Sequence, residues 1–415
     1  MSPRAVRQEP SMLDHRKLGR ELDIFHSDPL SGAGLPIWLP AGAAARHAVE
    51  EFLRSLEVRN GYQHVYSPPL GRAELFELSG HLGYFADDMF PPMKLSSDDE
   101  LMLRPALCPH HCLVYLARGR SYRELPLRIA EIGGMYRSER SGVLGGLSRV
   151  RAIHLNDAHI FCSLADVGAE VASVLRLVDV AHAALGVRVS SVRLSLRGPG
   201  EKYVGSEESW AQAESLLRAA LGSRSYVEAP GEAAFYGPKI DIQVRDVRGR
   251  EWSLSTVQLD FDKPARFDLS YVDAGGARAR PVMVHRSLVG SMERLFGYLI
   301  EEHGGAFPAW YAPLQLRVLP VSAASAGAAA AFAASAVEAG LRADVVAEGG
   351  SLGARVRDAA AAKVPYVAVI GDREAAAGAV ALRVRGGREL PAMPMPDAIR
   401  LIDEAVAARS IDPVP

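Results

Sequence analysis

The last hundred residues alternate between short apolar runs and alanine-rich segments, and this pattern constrains the fold most strongly. After FPAWYAP (residues 307–313), the runs LQLRVLPV, ADVVA, YVAVIG and AVALRVR have the composition of strands. Residues 323–339 and 352–363, which lie between these runs, have helical composition. Alternating strands and helices predict an open α/β sheet, so the chain is expected to divide here into two domains.

The residues before this division have a different pattern. Residues 41–58 have the apolar spacing of a helix, and residues 62–66 read as a strand that runs into Pro68. Long strands are predicted at residues 252–259 and 280–284. We therefore predict a flexible tail at 1–11, one domain at 12–306, a linker at 307–313 and a second domain at 314–415.

Composition excludes several classes of protein. The chain has only three cysteines, which argues against a disulfide scaffold and favours a reducing compartment, the cytoplasm. No apolar run is long enough to span a membrane, and residues 1–19 have no apolar signal core. The net charge of −2 means that a nucleic-acid partner would need a local basic patch.

The stretch LCPHHC (residues 107–112) looks like a metal clamp. A closed zinc site usually needs two spaced ligand pairs, and the sequence contains no second pair beside Cys108 and Cys112. One alternative is a loop that binds no metal, and another is a loop that lends one ligand to a distant site. Asp157 and His159 lie two residues apart in a strand-like run, so both face the same way, and His285 stands at a strand end.

Several blocks of sequence carry a family resemblance. They are DHRKLGRELD, SGHLGYFADDMF, CPHH, SYRELPLRIAEIGGMYRSERSG, RVRAIHLNDAHIFC, GSEESW, AFYGPKIDI, TVQLDF and VMVHRSLVGSMERL. In this order they resemble the class II aminoacyl-tRNA synthetases, and among these the threonyl-tRNA synthetase family, over nearly the whole chain. The resemblance implies an α+β catalytic core, an antiparallel sheet flanked by helices, followed by an anticodon-binding-type α/β domain with a mixed sheet.

The resemblance also implies a zinc ion in the amino-acid site. Its ligands would be Cys108, His159 and His285, which leaves one coordination position open. Threonine would fill this position with its amino group and hydroxyl, and Asp157 would accept a hydrogen bond from the substrate. Valine is nearly isosteric with threonine but cannot coordinate zinc, so the metal would provide the selectivity that apolar packing lacks.

Two further motifs imply an ATP site. Arg137 would bridge the substrate carboxylate and the α-phosphate, Glu139 would accept from the adenine amino group, and Arg294 would hold the γ-phosphate. Magnesium is expected on the phosphates. The remaining matches assign residues to the same site: Tyr236 and Lys239 facing the amino acid and the phosphates, Gln258 and Arg149 lining the site, and His81 helping to deprotonate the terminal ribose of tRNA.

The pattern departs from the family in places. Ile153 stands where phenylalanine is usual, Leu155 where glutamine is usual, and Ser253, Leu254 and Ser255 replace glutamine, cysteine and glycine. These departures are also compatible with an alternative function, in which the enzyme activates another β-hydroxy amino acid for transfer to tRNA or to another acceptor. A silent regulatory tRNA-binding paralogue and a zinc hydrolase are weaker alternatives, because the catalytic motifs are intact and in order.

The ends of the chain raise further expectations. The match begins just before the catalytic domain, which predicts an enzyme without the family's N-terminal editing domain. Gly349, Gly350 and Ser351 stand where base-reading side chains are usual, so anticodon recognition is expected to be relaxed. Five arginines remain as candidates for phosphate contacts: Arg355, Arg357, Arg383, Arg385 and Arg388. The segment around Pro68 matches the motif that builds the family's dimer interface, which predicts a homodimer.

Overall fold

The computed structural model of the chain describes residues 13–96, 99–200, 203–347 and 350–413. The predicted tail at residues 1–11 and Gly349 lie outside the described residues.

An eight-stranded sheet forms the centre of the first domain. Its strands, in order across the sheet, are Val227–Pro230, Val189–Leu196, Lys239–Arg245, Glu251–Asp260, Val282–Ser287, Ala152–Cys162, Leu127–Tyr136 and Gln63–His64. The six inner strands pair antiparallel, and the two edge strands join them parallel. The predicted antiparallel core is therefore confirmed.

Helices flank this sheet, the three longest sharing one apolar core with its strands. The helices are His15–Glu21, Pro40–Arg59, Ala73–Leu78, His81–Tyr84, Cys108–Leu116, Val167–Leu185, Glu207–Leu221, Asp262–Arg266 and Met292–Glu302. The helix predicted at 41–58 is confirmed. The strand predicted at 62–66 is shorter, Gln63–His64, and at its start the Tyr62 N–H donates to the Glu57 carbonyl of the preceding helix instead of to the sheet.

Small sheets lie at the edges of this domain. Two are ribbons, formed by Phe25–His26 with Ile37–Trp38 and by Tyr271–Val272 with Arg278–Ala279. The third contains Leu70–Arg72, Asp99–Leu103 and Met93–Ser96. No helix among the described residues is both long and apolar enough to cross a membrane.

The second domain is a mixed sheet, as the sequence predicts. Its strands, in order, are Ala343–Val345, Leu316–Pro320, Tyr366–Ile370, Ala379–Val384 and Arg388–Glu389, and Met393–Pro394 also pairs with the fourth. The first three are parallel and the others antiparallel. The helices are Ala326–Glu338, Leu352–Ala361, Asp372–Ala377 and Met395–Ala407, of which the last two were not predicted.

The segment at 307–313 joins the domains through buried contacts. The Trp310 indole N–H donates to the Ala184 carbonyl at 3.0 Å, and the Tyr311 hydroxyl donates to the Leu185 carbonyl at 3.1 Å. Both carbonyls lie at the end of helix Val167–Leu185, where the last turn has no helical donors for them. The connection is therefore packed against the first domain.

Candidate active site

A cavity of about 480 Å³ opens on the large sheet. Its lining includes every site residue that the sequence predicts: His81, Cys108, Arg137, Glu139, Arg149, Asp157, His159, Tyr236, Lys239, Gln258, His285 and Arg294. These residues come from positions as far apart in the chain as 81 and 294, so the sheet brings together what the sequence separates.

Strand register explains how the cavity collects its side chains. His285 lies directly opposite His159 on one neighbouring strand and opposite Gln258 on the other. Asp157 and His159 alternate with buried residues on one strand, and both face the cavity as predicted. Cross-strand neighbours lie about 4.5–5.5 Å apart, which places the two imidazoles in contact.

Cys108, His159 and His285 form a buried group, called here the Cys-His-His cluster. The possible ligand atoms of these residues all lie within 4.8 Å of one another. Cys108 is the first residue of helix Cys108–Leu116, and a helix N-terminus stabilises a thiolate. Cys112 is buried in the same apolar cluster as Cys108, with Phe161, but it does not belong to the Cys-His-His group of ligand atoms. The LCPHHC stretch thus contributes one residue to the cluster.

Two chains of hydrogen bonds fix the protons of the two imidazoles. His111 lies 3.2 Å from Glu131 through Nε2 and 2.7 Å from His159 Nδ1 through its own Nδ1. A carboxylate can only accept, so His111 donates to it and in turn accepts from His159 Nδ1. His285 Nε2 likewise donates to Asp260, at 2.8 Å.

This arrangement leaves two lone pairs pointing at each other. His159 Nε2 and His285 Nδ1 lie 2.9 Å apart, and neither retains a proton to share. Burial and neighbouring charges keep the pKa of both rings below the ordinary histidine value, so a second proton is disfavoured. A cation satisfies two facing lone pairs, and a Cys-His-His donor set suits zinc. The residues therefore fit the metal that the family implies.

The thiol of Cys108 leads to the same conclusion. Burial raises its pKa to about 12, so it is protonated unless a positive charge is added nearby. Metal coordination deprotonates such a thiol outright.

A second acid–histidine group, formed by Asp14, His15 and Glu301, is of a different kind. Its members have ligand atoms at metal-like spacing. However, His15 Nε2 accepts from the Leu147 N–H at 3.1 Å, and His15 Nδ1 lies 2.7 Å from Glu301. Both ring nitrogens are occupied by hydrogen bonds, so the group is a structural link and not a metal site.

The other end of the cavity is built for an anion. Burial is the main cause of the lowered pKa of Arg137 and of Arg294, and the positive charge of Arg137 lowers the pKa of Arg294 further. The Nε atom of Arg137 is buried and has no hydrogen-bond partner among the described residues. Arg294 Nε donates to the Ser148 carbonyl at 3.1 Å, and Arg149 pairs with Glu139 at 2.8 Å. A phosphate group between the two guanidiniums would relieve their repulsion.

Other predicted residues are held by neighbouring side chains. The Tyr236 hydroxyl donates to the Gln258 side chain, and Lys239 pairs with Asp241. His81 lies deep in the site, with Nε2 3.9 Å from the Cys108 sulfur and Nδ1 2.7 Å from Ser79 Oγ. Burial lowers the pKa of His81 to about 3, which keeps its ring neutral.

The structure adds residues that sequence reasoning missed. Arg286 lines the cavity and lies 2.8 Å from Glu57, on the helix Pro40–Arg59. Lys263 is fully buried beside Asp260, 3.3 Å from its carboxylate. Lys263 lies in DKP, the three residues after TVQLDF, where two adjacent charged residues indicate an exposed turn. Asp260 lies within TVQLDF itself.

The departures from the family pattern lie mostly toward the arginine end. Ile153, Leu155, Asp157 and His159 all line the cavity from one strand, at about 6.7 Å for every two residues. Leu155 therefore lies roughly 13 Å along the strand from His159, and it forms a bridge with Ser291 beside Arg294. The altered positions thus adjoin the anion end more closely than the Cys-His-His cluster.

Leu254 occupies a β-bulge. Ile242 and Gln243 pair with Ser255 and Ser253, so Leu254 is the extra residue of its strand. Gly290 has a φ of +69°, and a Cβ added there would lie 2.6 Å from the Leu254 carbonyl oxygen. A bulge re-aims a side chain, and here it turns Leu254 into the cavity wall.

Comparison with known proteins assigns this fold and cavity to a class. Residues 93–303 match the family described as the tRNA synthetase class II core domain (G, H, P, S and T), and residues 315–405 match the anticodon binding domain family. An antiparallel sheet that carries paired arginines and is followed by such a domain defines a class II aminoacyl-tRNA synthetase.

Individual relatives define the branch. The chain is 45% identical over 404 residues to the threonine–tRNA ligase of a Geobacillus species, covering 96% of this chain and 63% of that one. The crystal structure of the RNA binding domain of threonyl-tRNA synthetase from Cryptosporidium parvum superimposes with a TM-score of 0.88 at 32% identity, covering 96% and 98% of the two chains. The chain belongs to the threonyl-tRNA synthetase family.

A second solved structure supports the same family, and the curated bacterial relatives are longer than this chain. The putative threonyl-tRNA synthetase from Aeropyrum pernix matches with a TM-score of 0.82 at 29% identity, covering 97% of this chain and 98% of that one. The chain spans 63% of the length of the curated bacterial relatives from Geobacillus and Thermus thermophilus.

Proposed function

We propose that this chain activates threonine with ATP and transfers the resulting threonyl group to tRNA(Thr), with a zinc ion recognising the amino acid. The observation that carries the proposal is the pair of facing lone pairs on His159 and His285 at one end of a cavity whose other end holds Arg137 and Arg294. Amino-acid recognition and phosphate binding thus occupy opposite ends of one cavity.

The amino acid binds at the cluster end. Bound zinc would supply an open coordination position for the threonine amine and hydroxyl, with Cys108, His159 and His285 as its protein ligands. Asp157, whose Oδ2 lies 3.8 Å from His159 Nε2, accepts from the substrate. Because Asp157 and Arg137 line the same cavity, the threonine carboxylate is directed toward the arginine.

Activation takes place at the arginine end. A carboxylate oxygen of threonine forms a bond to the α-phosphorus of ATP, and the bond to the β-phosphate oxygen breaks, releasing pyrophosphate. Arg137 stabilises the charge that builds on the α-phosphate, and Arg294 holds the outer phosphates. Magnesium, when bound with ATP, would neutralise part of the phosphate charge. Glu139 and Arg149 bind the nucleoside, and Lys239, Tyr236 and Gln258 position the substrates.

Transfer requires a base near the carbonyl of the adenylate. The Ser79 hydroxyl donates to the Phe76 carbonyl at 3.2 Å, so His81 Nδ1–H donates to Ser79 and His81 Nε2 presents a lone pair. We infer that this nitrogen takes the proton of the terminal tRNA hydroxyl. The hydroxyl oxygen bonds to the carbonyl carbon, and AMP leaves with the electron pair of the broken bond.

The second domain is proposed to bind tRNA, with fewer arginines than the sequence indicates. Arg355 is buried and donates to the Pro320 carbonyl at 2.9 Å, Arg385 donates to the Lys363 carbonyl, and Arg383 pairs with Glu389. These side chains are already engaged within the protein, which leaves Arg357 and Arg388 as phosphate contacts. Relaxed anticodon recognition remains our proposal.

The remaining assignments are proposals of the same kind. We assign residues 12–306 to the catalytic domain, 307–313 to the connection and 314–415 to the tRNA-binding domain. The protein is proposed to act in the cytoplasm as a homodimer through the surface around Pro68.

Another β-hydroxy amino acid is the second candidate substrate. Leu155 and Leu254 are the departures that favour it, since both make the cavity wall more apolar. The position of Leu155 nearer the arginine end than the cluster end favours threonine, because the substrate side chain binds at the cluster.

The test is amino-acid-dependent exchange of pyrophosphate into ATP, measured on zinc-loaded protein without tRNA. Threonine should support exchange, serine should be about 10-fold to 200-fold less effective, and valine should give almost none. An Arg137→Ala variant serves as the inactive control. Exchange with bulkier β-hydroxy amino acids but not with threonine would establish the second candidate, and no exchange with any of them would refute the synthetase proposal.

A further inference from the structure

Lys263 is a buried charge that the reaction described above does not use. It lies on the short helix Asp262–Arg266, and its side chain is 0% exposed. Its Nζ atom is 3.3 Å from Asp260 Oδ2 and 3.8 Å from the centre of the Tyr236 ring. Removing an ammonium group from water is costly unless it is well paired, so a lysine here requires an explanation.

We propose that Lys263 sets the metal affinity of the Cys-His-His cluster from behind Asp260, holding it below the affinity that the ligands alone would give. The inference rests on the zinc site of the proposed function. It makes Lys263 a positioning residue, because it acts on the metal through Asp260 and His285.

A short hydrogen-bonded path connects the lysine to the cluster. Asp260 Oδ2 accepts from His285 Nε2 at 2.8 Å, and the same oxygen is the one that faces Lys263. Asp260 Oδ1 accepts from the backbone N–H groups of Asp262 and Lys263 at 2.8 and 2.9 Å, which holds the carboxylate in place. One carboxylate oxygen is therefore shared between a ligand histidine and a fixed positive charge.

The sign of the effect follows from electrostatics. A carboxylate that accepts from a ligating histidine makes the other ring nitrogen a better donor to a metal. Lys263 withdraws charge from this carboxylate and also repels a dication in a site of low dielectric.

A purely structural role for Lys263 makes a different prediction. If the lysine only keeps Asp260 in place, removing either residue should loosen the site and weaken metal binding. If the lysine acts through its charge, removing Lys263 and removing the charge of Asp260 should change the affinity in opposite directions.

The experiment measures zinc affinity by competition with a chromogenic chelator, using metal-stripped full-length protein. Lys263→Met, which is nearly isosteric, should bind zinc about tenfold more tightly than the unsubstituted protein. Asp260→Asn should bind it about tenfold to a hundredfold more weakly. The double variant should have a zinc affinity between those of the two single variants, because one change strengthens binding and the other weakens it.

Three further variants serve as controls for charge, for folding and for an unrelated surface change. Lys263→Arg keeps the charge and should retain an affinity close to the starting value. Lys263→Gln is a second neutral variant and should also bind zinc more tightly. It replaces Lys263→Met in the comparison if the Lys263→Met protein folds poorly. Lys17→Met changes an exposed lysine on another helix and should have no effect.

The outcomes separate the inference from the proposed function. Equal or weaker zinc binding by both neutral Lys263 variants would overturn the inference, as would an unsubstituted protein that binds no zinc. If the unsubstituted protein binds zinc and the signs are opposite but threonine supports no exchange, the inference stands and the proposed function fails. If threonine supports exchange but the Lys263 and Asp260 variants do not change zinc affinity in opposite directions, the proposed function stands and the inference fails.

Discussion

The Nε2 atom of His159 and the Nδ1 atom of His285 lie 2.9 Å apart, and two carboxylates ensure that neither atom carries a proton. Glu131 acts on His159 through His111, and Asp260 acts on His285 directly. Hydrogen bonds to carboxylates orient metal-binding histidines in many proteins. The unusual feature here is that one of the two carboxylates acts through a second histidine.

The first prediction concerns this relay. His111→Leu removes the group that accepts from His159 Nδ1, so the His159 ring can rotate or change its tautomer. We expect zinc affinity, measured by chelator competition, to fall about tenfold to a hundredfold. His110→Leu is the matched control, because His110 contacts the Leu70 carbonyl at 3.2 Å and makes no hydrogen bond to the cluster. Equal losses in the two variants would contradict the relay.

The second prediction concerns His15, which ties together the elements at the arginine end of the cavity. His15 Nδ1 contacts Glu301 on helix Met292–Glu302, while His15 Nε2 accepts from Leu147 in the segment before strand Ala152–Cys162. The neighbouring Ser148 carbonyl accepts from Arg294, which lies on the same helix as Glu301. These contacts form a closed ring between helix Met292–Glu302 and the segment at Leu147 and Ser148. His15, on the first helix of the described chain, closes the ring.

His15→Ala breaks this ring on both sides. We expect the KM for ATP to rise about tenfold, the equivalent of one lost buried hydrogen bond, with little change in the KM for threonine. Glu301→Gln still offers an oxygen to His15 Nδ1 and should retain most of the ATP affinity. Lys17→Ala, on the same helix, is the control for helix damage. Parallel increases in both KM values would indicate general loosening instead.

The sequence predicts those parts of the fold that repeat along the chain. The strand and helix alternation after residue 313 is visible because each element has a complete apolar face, and the mixed sheet follows from it. Asp157 and His159 could be placed on one face of a strand because a period of two residues is a local property. The family resemblance then supplied the cavity residues, all of which line it.

The parts that sequence reasoning missed depend on contacts distant in the chain. Lys263 reads as a solvated turn residue, and its burial arises only when Tyr236 and Asp260 pack around it. His15 and Glu301 are 286 positions apart, and no local pattern relates them. The strand predicted at 62–66 was too long at its start because the Tyr62 N–H donates to the Glu57 carbonyl of the preceding helix, a contact that only the folded chain provides.

The third prediction tests the bulge at Leu254. Gly290→Ala places a Cβ against the Leu254 carbonyl oxygen in a backbone conformation that L side chains rarely adopt. We expect the free energy of unfolding to fall by about 1–3 kcal/mol. Gly168→Ala is the matched control, since it lies in helix Val167–Leu185 with open space around the added carbon. That variant should be neutral or gain about 0.5–1 kcal/mol. Equal effects at the two positions would rule out a steric role for Gly290.

The fourth prediction concerns pH and His182. This buried histidine lies on the helix behind the bulge, and its Nε2 is 2.7 Å from Ser255 Oγ, which itself donates to the Leu288 carbonyl. Burial lowers the pKa of His182 to about 4, from an ordinary value of 6.5. The unfolded chain therefore takes up a proton below pH 6.5 that the folded protein refuses until about pH 4.

Protonation of His182 at low pH favours the unfolded chain. Stability from this residue is complete above pH 6.5 and is lost as the pH falls toward 4. A difference of about 2.5 pH units, at 1.36 kcal/mol each, corresponds to roughly 3 kcal/mol. We expect urea unfolding of the unsubstituted protein to lose roughly that much more free energy between pH 7.5 and pH 4 than His182→Gln, which has no ring to protonate. Parallel pH profiles for the two proteins would show that His182 is protonated equally in the folded and unfolded states.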